Sequence, residues 1–382
     1  MHFIRKITIV LWAFIPLLGC GQHGNSVQDD PLDSLDPLAI YKGVDPFENG
    51  FAAVSINNQY GFIDKKGRNV VPCKYSHVYE FHDGLAVVER DKKQGLIDTT
   101  GREIVPLKYD YISGFEDSER AMVKSGEKWG YIDKKGKEII PLIYDKANYF
   151  MDELSTVQQN DQWFIIDTLN NRKRVKYDLA ELGSFYEGRA SFRIRGQSDK
   201  GYLDREGKIA IQARYQDVSY FDKGLAAVEF NGKKGFVNKK GEEVVPFRYD
   251  GYPYFSEGLA LVCTNGLCGF VDTNGKELIP LKYPDADAHS FYDGLAIIKM
   301  AGKYSCIDKK GDVVIPPIYD EMIQGEGMLA VMKGGQGYYL DLKGNVLFKE
   351  VYQEVFPFSD GAARVKQNGI WFFIDKQGKR LF

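Results

Sequence analysis

Beyond residue 23, the side chains of this 382-residue sequence that could do chemistry are four cysteines, three histidines and many carboxylates. Cys263 and Cys268 flank Thr264-Asn265-Gly266-Leu267. A two-residue Asn-Gly hairpin sets them directly opposite one another in a non-hydrogen-bonded pair, with Cα atoms about 4.5 to 5.5 Å apart. In an oxidising compartment they are predicted to form a cross-strand disulfide. Cys73 and Cys306 have no such companion, and no cluster of further ligands in the sequence suggests a metal site. His77, His82 and His289 sit beside no nucleophile motif, and phosphate-cradling glycine loops are absent, so neither a catalytic residue nor a cofactor is expected. Two carboxylates about 5 Å apart would suffice for glycoside hydrolysis, which keeps a glycan-active enzyme with an off-repeat acid pair as the alternative to a non-catalytic role. Arg172, Lys173, Arg174, Lys176, Arg189, Arg193 and Arg195 crowd one stretch against Asp178, Glu181 and Glu187. Alternate residues Arg193 and Arg195 share one strand face, so this stretch is the candidate patch for an anionic glycan or acidic partner.

The elements that would carry these residues repeat. Ile63-Asp64, Ile97-Asp98, Ile132-Asp133, Ile166-Asp167, Leu203-Asp204, Val237-Asn238, Val271-Asp272, Ile307-Asp308, Leu340-Asp341 and Ile374-Asp375 mark ten copies spaced 33 to 37 residues apart. Such a period signals one array built of a single supersecondary unit. In the clearest copies three short runs of branched and aromatic residues alternate with Gly, Asn, Asp and Lys clusters, a strand signature. The Asp-x-x-Gly step fits a type I turn capped by the Asp side chain and closed by a left-handed residue, Gly in nine copies and Asn170 in the fourth. Asn231-Gly232, Asn265-Gly266 and Asn368-Gly369 predict tight hairpins. Pro72, Pro106, Pro141, Pro246, Pro280 and Pro316 are expected at the end of the third strand, where pairing stops. Tyrosines three residues after that position, from Tyr75 to Tyr352, are expected to be core.

The string Gly126-Glu127-Lys128-Trp129-Gly130-Tyr131-Ile132-Asp133-Lys134-Lys135-Gly136-Lys137-Glu138-Ile139-Ile140-Pro141 resembles the WG (KWG) repeat of bacterial proteins, and the resemblance runs from Leu38 to Phe382. Only the third copy keeps Trp-Gly itself, and the fourth, eighth, ninth and tenth lack Gly at that place. The resemblance implies an envelope or secreted repeat protein that mediates interactions.

The fold expected is all-β, a tandem array of about ten 34-residue, three-stranded repeats arranged as in a β-propeller, with an open solenoid as the alternative. The last copy stops at Leu381-Phe382, two residues into its third strand, while Tyr41-x-x-Val44-x-x-Phe47 matches Tyr109-x-x-Ile112-x-x-Phe115 and supplies the missing half. A ring would explain this split. Ten units exceed the usual four to eight blades, which weighs against a single ring and leaves two five-unit halves open.

Arg5 and Lys6 precede a short apolar run ending in Leu17-Leu18-Gly19-Cys20, which resembles the lipobox of bacterial lipoproteins. The resemblance implies a signal peptide at 1–19, lipidation of Cys20, and a membrane-held protein of the cell envelope. Residues 20–37 are a flexible tether, with Gln28-Asp29-Asp30 faintly resembling a surface-export signal, and 38–382 are the array. Loss of the leader takes the net charge from −3 to −5, which offers no field for nucleic acid. The expected partners are the membrane, through the lipid, and an envelope protein or glycan.

Overall fold

The computed structural model describes residues 38–382, apart from 116–118, 252 and 285–287. The signal peptide, the tether and Cys20 lie outside the described residues. All regular elements among the described residues are strands, gathered into ten small antiparallel sheets in chain order. We call these blades 1 to 10: 43–75, 77–109, 111–144, 146–174, 179–215, 217–249, 255–284, 288–319, 321–341 and 354–375.

Blade 2 shows how the sequence builds each sheet. Its four strands are His77–Val78, Leu85–Arg90, Lys93–Asp98 and Glu103–Tyr109, paired as a meander. The second and third are the two apolar runs expected from sequence, and the Asp98 turn joins third to fourth. Thr100 N and Arg102 N donate to Asp98 Oδ1 at 2.9 and 3.1 Å, and Gly101 closes the turn at φ 81°. The hydrogen bond from the Thr100 hydroxyl, foremost among several, pulls the Asp98 carboxyl down to about 2. Asn238 makes the same pair of backbone contacts in blade 6, and Asn170 takes φ 63° in place of glycine. The repeated Asp is therefore a turn cap. At the other end, Asn231-Gly232, Asn265-Gly266 and Asn368-Gly369 all have positive φ at both residues, as the type I′ hairpin requires.

Two expectations are corrected. Seven of the ten sheets have four strands, because a run as short as two residues, such as His77–Val78, pairs ahead of the three legible ones. A two-residue strand has too little pattern to stand out in sequence. Nor does pairing end at the proline: in blade 1 the fourth strand, Asn69–Tyr75, pairs Val71 with Phe62 and then Tyr75 with Tyr60. Pro72, Cys73 and Lys74 bulge out opposite Gly61, so proline's missing N–H costs no ladder bond. That bulge explains the glycine of the repeat. A Cβ on Gly61 would lie 2.1 Å from the Val71 carbonyl oxygen. Where Ser305 replaces it in blade 8, its hydroxyl bonds the matching carbonyl of Ile315 at 2.6 Å. Phe164, Tyr338 and Phe372 fill the position in blades 4, 9 and 10, whose sheets have no proline-bulged fourth strand.

The core lies between blades. Val71, Tyr75, Val78, Phe81 and Val88 form one cluster shared by blades 1 and 2, and the recurring tyrosines Tyr75 to Tyr352 are all buried. The same packing occurs between blades 10 and 1, where Val44, Phe47 and Ala52 join Phe373, Trp371 and Phe382. Phe47 and Phe373 meet edge-on at 4.7 Å, and their interior counterparts Phe81 and Phe62 are also 4.7 Å apart. Tyr41 packs in this cluster too, so the amino-terminal half-repeat does occupy the place that the last copy leaves vacant. All ten blades thus close as one β-propeller ring, the arrangement expected from sequence rather than the open solenoid, although ten units exceed the usual four to eight. The two ends of the described array each stay within their own blade: Lys42 N donates to Ser55 O at 2.8 Å and Leu381 N to Phe373 O at 2.9 Å. The seam is held by side chains rather than by a shared strand.

Polar latches tie neighbouring blades on both faces. On the face of the Asp turns, a loop carboxylate accepts from a glycine N–H of the next blade: Gly188 to Asp152 at 2.8 Å, Gly361 to Glu326 at 2.9 Å, and across the seam Gly50 to Asp360 at 2.5 Å. On the hairpin face, Lys128 bonds Asp145 and Lys200 bonds Asp217, at 2.5 and 2.6 Å.

Candidate functional site

Because the repeated residues serve the fold, specificity belongs to positions that vary. The most variable described stretch runs from the first strand to the glycine turn. In blade 2 it reads Tyr79-Glu80-Phe81-His82, and only Phe81 enters the core. Asp45 and Glu48 of blade 1 occupy the places of Tyr79 and His82, and where blades 1 and 2 meet, beside the seam, Asp45, Glu48 and Glu80 come within electrostatic reach of one another and of His77 and His82. Burial foremost raises the Asp45 carboxyl, opposed by Arg364 and His77; burial, then the charge of Glu48, raises that of Glu80. Both residues nevertheless touch solvent. Both side chains are exposed, so their loss of hydration is partial. Ser359 donates to Glu48 Oε1 at 2.6 Å, and Arg364 Nη1 to Val44 O at 2.5 Å. No group of three His, Cys, Asp or Glu among the described residues is arranged to hold a metal ion.

Across the ring the same stretch is aromatic. Tyr149, Tyr220 and Tyr254 take the Glu80 place in blades 4, 6 and 7, while Tyr186 and Tyr292 take the His82 place in blades 5 and 8. Tyr149, Tyr220 and Tyr254 are 38%, 49% and 56% exposed, whereas the core tyrosines are at most 9%. Tyr186 and Tyr220 lie 4.7 Å apart with planes inclined 31°. This is the position that Glu48 and Glu80 hold between blades 1 and 2.

The basic residues singled out from sequence fall in several places. Arg172, Lys173 and Arg174 form the short fourth strand of blade 4, Arg172–Arg174. Arg172 stacks on Phe164 at 4.2 Å, Lys173 pairs with Glu206, and Arg174 bonds Gln162. Because that strand is cut short, a cleft of about 380 Å³ opens beside Arg172, Lys173 and Arg205, with Asp167 and Glu206 also on its wall. Arg193 pairs with Glu181, and Arg195 with Asp178 and Asp161 on the hairpin face; Arg189 donates to the carbonyls of Gly188 and Lys239 on the turn face. Lys176 is exposed between blades 4 and 5. The seven therefore do not share one surface, and acids neutralise several of them.

Cys263 and Cys268 are register partners at the Asn265-Gly266 hairpin of blade 7 and are joined as a disulfide, with Cα atoms 4.0 Å apart. Cys306 is buried and Cys73 half-buried, both as free thiols. Burial pushes the Cys306 thiol up to about 12, which keeps it inert.

The sequence reading missed the acidic seam and the tyrosines, although each was visible as an off-consensus residue one or two positions from the Phe of Phe-x-x-Gly. Each group draws its members from successive blades about one repeat apart, so it is scattered in linear order and forms only when neighbouring blades pack.

A closed ring of ten small sheets, with turns built on Asp-x-x-Gly and glycines set under proline bulges, defines a repeat propeller. The chain belongs to the WG-containing repeat family, whose model matches residues 38–60, 60–93, 95–129, 129–163, 201–233, 235–268, 269–304, 304–336 and 339–370. None of the curated proteins matches it. Among solved structures, it is similar to a crystal structure of a eukaryotic initiation factor at TM-score 0.45 and 11% identity, covering 88% of this chain and 96% of that one. Kluyveromyces lactis Hsv2 gives 0.32 and 10%, covering 59% and 94%, and the dihydro-heme d1 dehydrogenase NirN gives 0.37 and 13%, covering 82% and 76%. Likenesses this distant carry no argument about function.

Proposed function

We propose that this protein is a lipid-anchored, non-catalytic scaffold of the bacterial cell envelope, whose propeller binds a protein or glycan partner. The observation that carries the reading is the division of labour in the repeat. Asp turns, bulge-facing glycines and core tyrosines maintain the ring, while the solvent-facing places beside Phe81 and its counterparts differ from blade to blade, as in a binding surface. Anchoring rests on the Leu17-Leu18-Gly19-Cys20 motif alone. Replacing Cys20 by Ser should release the protein from membranes into the soluble fraction, and unchanged membrane retention would refute the anchor. Protease shaving of intact cells, followed by affinity capture, then tests the scaffold. A specific partner retained by the wild type supports it, and none on either side of the envelope removes it.

A second reading has its own observation. Glu48 and Glu80 are off-repeat acids close enough for the charge of Glu48 to help raise the Glu80 carboxyl, and a glycosidase needs such a pair of neighbouring acids. Hydrolysis of an envelope glycan that Glu80→Gln and Glu48→Gln each abolish would establish that reading in place of the scaffold.

A further inference from the structure

We infer that the tyrosines of blades 4 to 8 form an extended subsite for a neutral glycan chain. The inference rests on the scaffold reading and names its ligand class. Tyr149, Tyr186, Tyr220, Tyr254 and Tyr292 follow one another through five consecutive blades at two neighbouring positions of the repeat. Exposing such area without a partner is costly, since full burial of one large apolar side chain contributes about 1.5–3 kcal/mol. A solvated wall has no need of it, and the same places hold Pro46, Glu80, Gly114 and Pro357 elsewhere in the ring.

The chemistry of the surface selects the occupant. A pyranose ring presents C–H groups on its faces and hydroxyls at its edge, so it fits a flat phenol face with neutral donors and acceptors beside it. Among the described residues, the hydroxyls of Tyr149, Tyr220 and Tyr254 have no hydrogen-bond partner in the protein. Ser290 Oγ, next to Phe291 and two residues from Tyr292, is likewise unpartnered although shielded from solvent. Ser184 lies in the same stretch of blade 5, while Ser219 and Ser256 of blades 6 and 7 already donate to the carbonyls of Tyr220 and Phe291. In the four places that match 79–82, Asp222 is the one formally charged residue of blades 4 to 8, against Asp45, Glu48 and Glu80 in blades 1 and 2; one place on, Asp152, Glu187, Glu257 and Asp293 accept from glycine N–H groups of the next blade. Charge complementarity therefore favours an uncharged ligand here. One tyrosine per blade suits a polymer with a repeating unit, because each platform meets an equivalent residue of the chain.

The test uses detergent-solubilised full-length protein on a panel of immobilised neutral polysaccharides (β-1,4-glucan, β-1,3-glucan, mannan, galactan), with alginate as the anionic control. Wild type should be retained by at least one neutral polymer and not selectively by alginate. The double variant Tyr186→Ala, Tyr220→Ala should lose retention at least about tenfold, the equivalent of roughly 1.4 kcal/mol, with its melting temperature little changed. Tyr186→Phe, Tyr220→Phe keeps the faces and should retain most binding, so a lost signal in the Ala variant cannot be ascribed to misfolding alone. No retention on any neutral polymer, or equal retention by wild type and the Ala variant, overturns the inference. Cross-linked capture of an envelope protein that is indifferent to the tyrosines would preserve the scaffold and remove the glycan. Absence of both glycan and protein partners would remove the two together.

Discussion

Glu48 with Glu80, and Tyr186 with Tyr220, occupy the same pair of positions in one repeat at different points of one ring. The first pair brings charge: Glu80 is exposed, yet partial burial and then the charge of Glu48 raise its carboxyl. The second brings two stacked rings that remain partly in water. A single backbone thus presents opposite chemistry on two arcs, and the difference comes entirely from side chains that the fold does not use. A repeat protein of this kind separates the residues that make it stand from those that make it specific. The phenylalanine between the two positions, Phe47, Phe81, Phe185 or Phe221, is buried in each of these blades.

The strongest challenge to the comparison is to open the ring beside the acidic arc. Phe373→Ala removes the edge-on partner of Phe47 and should cost about 3–5 kcal/mol, with the seam loosening before blades 4 to 8 do. Hydrogen exchange resolved by peptide would show early opening at 43–56 and 362–382, and uniform opening around the ring would refute a seam of separate stability. Next in size, Tyr220→Ala should weaken ligand retention severalfold while lowering stability by less than about 1.5 kcal/mol, because the stacked pair is exposed. A large loss of stability would mean that these rings are core and the two arcs are alike.

Acid should separate the turns from the acidic arc. The Asp98 carboxyl sits at about 2, below its unfolded value, so its stabilisation is present above that unfolded value and fades as pH falls toward 2. Glu80 has the opposite sign. Its folded value is raised, so its contribution is complete below the unfolded value and is lost as pH rises through the folded one. Glu80→Gln should therefore raise the melting temperature slightly at pH 7, by about 1 °C, and leave it unchanged at pH 4. Melting curves at the two pH values check this smallest effect, and a fall at pH 7 would show that the charged form is favoured.

Much of the architecture was legible because it depends on local chemistry repeated ten times. Asp64 through Asp375 announced the turns, Asn265-Gly266 the tight hairpin, and Tyr75 through Tyr352 the core. His77–Val78 escaped notice because two residues cannot display a period, and the proline bulge was read as a strand end because its far side, Val71 to Tyr75, resumes pairing only after the interruption. The ring itself was legible only through the phase of Tyr41, Val44 and Phe47 against the truncated last copy. The candidate sites were less so. The basic stretch 172–195 looked like one patch in linear order, but the chain crosses from one blade to the next within it, and Arg174 and Arg189 end on different sheets. Glu48 and Glu80 are 32 residues apart, and no spacing rule joins them.

The seam also makes the number of copies a geometric quantity. Phe47 meets Phe373 at 4.7 Å, the distance Phe81 keeps from Phe62, so the join packs as an interior interface does. An open stack can lengthen by duplicating a unit at either end. A closed one cannot: an eleventh copy would alter the angle at every interface, and a ninth removed would do the same. Growth by duplication would thus have to reset every interface, whereas exchanging side chains changes recognition within a fixed circle.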